Sequence, residues 1–195
     1  MIEYIKGEIA ELNPAFMVME SNGIGYNINI SLTTYSTFNG HNEGKIYVYE
    51  VIREDAHLLF GFATRQEREL FLLLITVSGV GPNTARMILS SISPDDLIDM
   101  IASGDDVSLT TIKGIGSKTA QRIVVDLRNK VKPVTASAGA HLSSGDRSEV
   151  AEGAVAALVM LGFQKAASLK AVTSILKKSP ALAVEQVIKE ALKTL

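Results

Sequence analysis

The chain has 195 residues, 47% of them hydrophobic, with a mean hydropathy of +0.22 and a formal net charge of −2. That length carries one to three small domains, and no apolar run approaches the roughly 18 residues a membrane-spanning helix needs. There is no cysteine, which excludes disulfides and thiolate metal sites, and His41, His57 and His141 show no ligand spacing. The opening MIEYIKGEIAE carries acidic residues and no apolar signal-peptide core, so the cytoplasm is the expected compartment.

A net charge of −2 argues weakly against a nucleic-acid partner, but the charge is unevenly placed. Residues 1–64 hold three Lys/Arg against eight Asp/Glu, residues 65–135 nine against eight, and residues 136–195 seven against five. Any contact with DNA must therefore use basic groups beyond the first third.

The first third reads as β-structure. Ile2–Ile9, Phe16–Glu20, Tyr26–Ser31, Lys45–Ile52 and Leu58–Phe62 show alternation or enrichment in β-branched and aromatic residues, and Asn13-Pro14, Asn22-Gly23-Ile24-Gly25 and Asn39-Gly40 supply turns between them. Five short strands so spaced predict a small barrel of the OB-fold kind over residues 1–64.

At Thr64 the period changes. Thr64 and Glu67 form a capping-box pattern, and the segment to Val77 predicts a helix with Leu70, Phe71, Leu73, Leu74 and Val77 inward. Ser93-Pro94-Asp95-Asp96 marks a second helix start, with a capping hydroxyl, a proline suited to the first helical position and two acids at the positive end; Gly104 ends that helix. Residues 133–148 are small, polar and aperiodic, which predicts a flexible linker. Beyond it, Ser148–Leu161, Lys165–Lys177 and Pro180–Leu195, the last capped by Ser179, predict a three-helix bundle. The architecture is thus multi-domain α+β: barrel 1–64, helical domain 65–132, linker 133–148 and helical bundle 149–195.

An internal repeat carries the functional reading. The stretch from Val77 to Ser90 matches that from Ile112 to Val125 at an offset of 35 residues, with Gly79/Gly114, Gly81/Gly116, Thr84/Thr119, Ala85/Ala120 and Ile88/Ile123 coinciding. Each copy reads helix, Gly-apolar-Gly, helix, which is the helix-hairpin-helix pattern. The glycines can take positive φ and bring backbone close to a partner with no side chain in the way, while Val80 or Ile115 between them is buried. Backbone N–H groups at the start of the following helix, together with its dipole, make an anion site that a DNA phosphate fits without regard to base sequence. The expected contact set is Gly79, Val80, Gly81, Pro82, Asn83 and Arg86 in the first copy and Gly114, Ile115, Gly116, Ser117, Lys118 and Arg122 in the second. Lys118 adds direct charge, and Arg86 and Arg122 are expected to reach neighbouring phosphates.

Gly114 to Thr119 also looks like a nucleotide phosphate loop, but that motif needs Gly directly before Lys and another Gly five residues earlier, where this chain has Ser117 and Ile112. Neither ATP nor any other cofactor is expected. Glu54 and Asp55 fall between two strands, at a hairpin tip. No further carboxylate or histidine has the spacing to complete a nuclease centre with them, so no metal and no catalytic residue is assigned.

From end to end the chain resembles the RuvA family: in its start MIEYIKGEIAE, in Arg53–Phe62, in both hairpins and in Ala154–Phe163. The resemblance implies a DNA-binding subunit without its own catalytic activity. It would hold four-way junctions open as a homotetramer, sometimes paired as an octamer, and recruit the hexameric ATPase RuvB for branch migration in recombination and repair, with the resolvase RuvC able to join. It implies that Glu54 and Asp55 are an acidic pin at the junction centre and that residues 149–195 contact RuvB, with Leu158, Leu169, Val172 and Leu176 as candidates; Leu161 is read as core. The family often has Lys where this chain has Asn83, one positive charge fewer per subunit. Two other readings stay open: a structure-specific DNA-binding protein without junction preference, and a protein-interaction module.

Overall fold

A computed structural model describes residues 1–131, 145–179 and 182–194. The chain divides into two compact units, Met1–Ser137 and Ala138–Leu195.

The first unit opens with strands β1 (Tyr4–Leu12), β2 (Phe16–Ser21) and β3 (Ile24–Ile30), then helix α1 (Leu32–Phe38), then β4 (Glu43–Ile52) and β5 (His57–Phe62). The strands close in the order β1-β2-β3-β5-β4, the order of an OB-fold barrel. All pairings are antiparallel except β3 with β5, a parallel seam of three register pairs, Ile28–Leu59, Asn29–Phe60 and Ile30–Gly61. Ile5, Met17, Met19, Ile28, Ile30, Ile46, Val48 and Leu59 fill the barrel. The β2–β3 turn is made by Asn22 at φ 51° and Gly23 at φ 78°, and two successive positive φ values match the twist of the strands they join.

Helix α1 departs from the sequence reading. Its segment LTTYSTF is rich in Thr and Tyr and has no helical signal of its own. Ser31 caps it by accepting from Thr34 N–H, and burial of Thr34 and Phe38 holds it in place. Tertiary packing outweighs propensity here.

Five helices follow: α2 (Arg65–Leu74), α3 (Pro82–Ser91), α4 (Pro94–Ser103), α5 (Asp106–Leu109) and α6 (Ser117–Leu127). α2 ends three residues before the Val77 expected from periodicity, since the hairpin turn begins there. Ser93 accepts from Asp96 N–H, Pro94 opens α4, and Gly104 closes it at φ 86°. Phe60 and Phe62 leave the barrel side of β5 and pack on α2, where the Phe71 ring lies 5.4 Å from Phe60, 4.8 Å from Phe62 and 5.6 Å from Tyr49. One continuous core therefore joins β5 to the helices.

The second unit holds α7 (Gly145–Met160), α8 (Lys165–Lys178) and α9 (Val184–Leu192) around Ala154, Val155, Leu158, Val172, Val187 and Ala191. Two boundaries differ from the sequence reading. Residues 145–148, assigned to the linker, form the first turn of α7, and the rest of that linker lies outside the described residues. The last helix starts at Val184 after Ala183, while Ser179 instead closes α8 by donating its N–H to Ile175 O; Pro180, the expected start, lies outside the described residues.

Candidate nucleic-acid interface

The two hairpins repeat the same backbone hydrogen bonds and the same buried positions. Val80 N–H donates to Val77 O and Ile115 N–H to Ile112 O, both at 3.0 Å. One residue ahead of the repeat read from sequence, Thr76 Oγ1 donates to Leu73 O and Thr111 Oγ1 to Ser108 O, both at 2.7 Å. Leu74/Leu109, Val77/Ile112, Val80/Ile115, Ala85/Ala120, Ile88/Ile123 and Leu89/Val124 are all buried. Val80 and Ile115 are thus plugs beneath the turns, and only their backbone can take part in a contact.

Within each Gly-apolar-Gly the two glycines differ. Gly79 and Gly114 sit at φ 93° and 90°, the left-handed region that the turn demands and that side chains strain to occupy. Gly81 and Gly116 cap the following helices at φ −87° and −83° in extended backbone, which any residue adopts. A Cβ built on either would meet nothing within 4 Å. The expectation of positive φ therefore holds for the first glycine of each pair and not for the second. Nothing inside the protein requires Gly81 or Gly116 to be bare.

Neither cap offers a side-chain acceptor to the helix behind it. The first helical bonds run from Ala85 N–H to Gly81 O and from Ala120 N–H to Gly116 O. The N–H groups of Ser117, Lys118 and Thr119 thus have no acceptor in α6, and in α3 the set shrinks to Asn83 and Thr84 because Pro82 has no N–H. Lys118 and Arg122 are exposed on α6, and Arg122 Nη1 lies 3.4 Å from Ser78 Oγ in the first hairpin's turn, so the two hairpins stand side by side. Sequence reasoning missed Lys113, exposed in the second turn next to Gly114; its repeat partner is Ser78.

Arg86 is placed otherwise than the sequence suggested. Its Nη1 donates to Ala15 O at 2.8 Å and to Asn29 Oδ1 at 3.3 Å, both on the barrel, and burial lowers its pKa from the ordinary value. It is committed to the protein rather than presented to phosphates. Glu67 likewise does more than cap. Thr64 Oγ1 accepts from Glu67 N–H as expected, but the Glu67 carboxylate does not turn back to Thr64; it accepts from the Ser31 and Thr34 hydroxyls and from Ala63 N–H, in a buried knot linking α1 to α2. Burial pushes this carboxyl above its ordinary value, against the pull of those three donors.

Glu54 and Asp55 are exposed at the tip of the β4–β5 hairpin, closed by Arg53 N–H donating to Ala56 O at 2.8 Å. Among the described residues no group of three His, Asp or Glu side chains could hold a metal, and no helix is long and apolar enough to cross a membrane.

The comparisons agree along the whole chain. Residues 1–61 match the RuvA N-terminal domain, 71–129 a SAM-like tandem helix-hairpin-helix and 149–195 the RuvA C-terminal domain. Aligned over the full length of both chains, relatives from Parabacteroides distasonis, Bacteroides fragilis and Porphyromonas gingivalis are 67%, 57% and 50% identical. The chain belongs to the RuvA family. Each of those three relatives is named Holliday junction branch migration complex subunit RuvA.

The RuvA C-terminal domain match falls within the second unit, where the structure corrects two partner candidates. Leu158 and Val172 are fully buried core residues, and Leu176 packs part-buried against the same core. Leu169 is 53% exposed. Leu161, read as core, is 61% exposed beside Met160 at 89%; α7 ends there with Gly162 at φ 100° and Phe163 N–H donating back to Leu158 O. The cap is the expected one, but it turns Leu161 outward.

Proposed function

We propose that this chain is a non-catalytic subunit that binds four-way junction DNA and recruits a RuvB ATPase for branch migration. The observation that carries the reading is the pair Gly81 and Gly116: bare where the fold leaves room for a side chain, and set before unspent helix N–H groups. Such a surface suits the close approach of a phosphate, twice over, with no demand on base sequence. Lys113, Lys118 and Arg122 supply the charge around the second site.

In this reading the protein works as a homotetramer, with an octamer and a RuvC complex as further assemblies, and four Glu54–Asp55 tips near the centre repel phosphates at the crossover. That repulsion disfavours continuous duplex and so creates preference for the branched form. The second unit meets RuvB through its exposed apolar residues, Leu169 together with Met160 and Leu161. A protein with this function acts on chromosomal junctions, and so in the cytoplasm.

The test is a binding titration of the purified chain against a four-way junction and a linear duplex of the same sequence, without ATP. Tight junction binding that falls steeply with salt is expected. Equal affinity for both DNAs would leave a general DNA-binding protein, and no binding would leave an interaction module.

A further inference from the structure

Arg86 lies on α3, the helix that opens at the first phosphate site, five residues after Gly81. Its Nη1 is shared between Ala15 O in the β1–β2 turn and Asn29 Oδ1 on β3. The Asn29 amide is used from both sides, because its Nδ2 donates to Leu59 O at 3.1 Å. Leu59 belongs to β5, the strand that issues directly from the Glu54–Asp55 tip. An unbroken line of hydrogen bonds thus runs from the first hairpin's helix to the pin-bearing strand. It crosses the barrel at its parallel β3–β5 seam, which has only three register pairs to hold it. Two further bonds tie the same helix to α1: Thr33 Oγ1 donates to Leu89 O at 2.7 Å, and Ser90 Oγ accepts from Leu32 N–H at 3.1 Å. The matching position in the second hairpin is Gln121, which is exposed, so only one hairpin carries this link.

We propose that Arg86 and Asn29 are positioning residues for junction recognition: they fix the first phosphate site relative to the acidic pin, so that discrimination between junction and duplex depends on side chains that touch no DNA. The inference rests on the function proposed above. Phosphate attraction and pin repulsion act on the same DNA from two elements. Their balance selects a branched shape only if the distance between them is set. Helix α3 and strand β5 are stiff, and the two hydrogens of Arg86 Nη1, fixed in the guanidinium plane, hold Ala15 O and Asn29 Oδ1 in a set geometry that Asn29 passes on to Leu59 of β5.

The experiment compares wild type, Arg86→Met, Asn29→Ala, the double variant and Lys118→Ala. For each, affinity for junction and for duplex is measured as a function of salt, alongside a thermal melt. Arg86→Met should reduce the junction-over-duplex preference about tenfold, as expected for residues in one network, and Asn29→Ala should do the same with little further loss in the double variant. The slope of log affinity against log salt should stay at the wild-type value for both, because no phosphate contact is removed. Lys118→Ala should instead lower that slope by about one unit per DNA-bound subunit, about four for the tetramer. Should Arg86→Met fail to fold, Arg86→Lys retains the charge and should still lose part of the preference at unchanged slope. A slope lowered by about one unit per subunit in Arg86→Met, with preference retained, would make Arg86 a phosphate ligand and overturn the inference; a folded Arg86→Lys that keeps the full preference would overturn it as well. A lower melting temperature with preference intact would reduce it to a purely structural role and overturn it too. Equal binding of wild type to both DNAs would sink the functional reading itself, and the inference with it.

Discussion

The two hairpins share a backbone and differ in what they do with it. At the matched positions 78/113, 83/118 and 87/122 the first carries Ser, Asn and Met where the second carries Lys, Lys and Arg. At 82/117 the first has Pro and the second Ser, which costs the first one N–H donor. At 86/121 the relation reverses: the first has an arginine, and spends it on the barrel. The first hairpin is therefore anchored to the barrel through Arg86 and almost neutral elsewhere, and the second is cationic, with exposed Gln121 at the anchoring position. A duplicated motif need not be a duplicated function. In the function proposed above, one copy gives position and the other gives attraction.

Blocking each phosphate site in turn tests this division most strongly. Ser at position 116 would accept a bond from the helix N–H groups, stabilising the fold by about 0.5–1 kcal/mol through the cap and the lost glycine entropy. The same oxygen would occupy the anion site. Gly116→Ser should therefore raise the melting temperature while weakening junction binding about tenfold, the equivalent of one charge-assisted hydrogen bond. Gly81→Ser should stabilise similarly and weaken binding less, about threefold, since that site lacks both the lysine and one donor. Equal losses in filter-binding titrations would erase the asymmetry.

Charge transfer between the copies should have the next largest effect. Asn83→Lys should strengthen binding several-fold at low salt and steepen the salt slope by about one unit per DNA-bound subunit, the mirror image of Lys118→Ala. An unchanged slope would mean that the first site meets no phosphate. Neutralising the pin with Glu54→Gln and Asp55→Asn should act on the other arm of the balance, raising affinity for duplex about threefold and narrowing the preference for junctions, as removal of like-charge repulsion predicts. If duplex affinity stays put, the tip does not face DNA.

The smallest effect concerns the knot that joins barrel to helices. The folded state holds the Glu67 proton more tightly than the unfolded chain does, because burial raises that carboxyl above its ordinary value. Its contribution is complete below the ordinary carboxylate range and is lost as pH rises through the raised folded value. Half-buried Glu3, Glu50 and Asp105 are held below their ordinary values by hydrogen bonds from Arg68, Ile2 N–H and Ser108 respectively and act in the opposite sense, so the informative quantity is the difference between Glu67→Gln and wild type. Urea melts across the acid range should show wild type losing ground to the variant as pH rises; a constant difference would remove the carboxyl from the pH response.

Much of this was legible in the chain. The strand alternation, the Asn-Gly turn, the Ser-Pro-Asp-Asp helix start and the 35-residue repeat each rest on local rules, and each has its counterpart in the structure. The turn glycines were legible as a pair but not in their division of labour, since only backbone angles separate Gly79, held by the turn, from Gly81, left bare. Arg86 misled because a basic residue one and a half turns into a DNA-binding helix looks the same whether it faces solvent or a barrel strand 57 residues away in sequence. Glu67 misled in the same manner, fitting a capping box while serving Ser31, 36 residues distant. In the C-terminal bundle, helical periodicity marked Leu158, Leu169, Val172 and Leu176 as apolar but could not rank them, because which apolar residue is covered depends on the neighbouring helices.

What the sequence by itself determined was the set of local elements and the repeat of a Gly-apolar-Gly turn ahead of a helix, because capping, turn chemistry and hydrophobic period act over a few residues. Tertiary structure decided which of those residues are spoken for. It turned α1 into a helix, buried Glu67, drew Arg86 onto the barrel and left Gly81 and Gly116 open. The physical reason is the same in each case: burial and hydrogen-bond satisfaction are settled by groups far apart in the chain, and no local rule carries their positions.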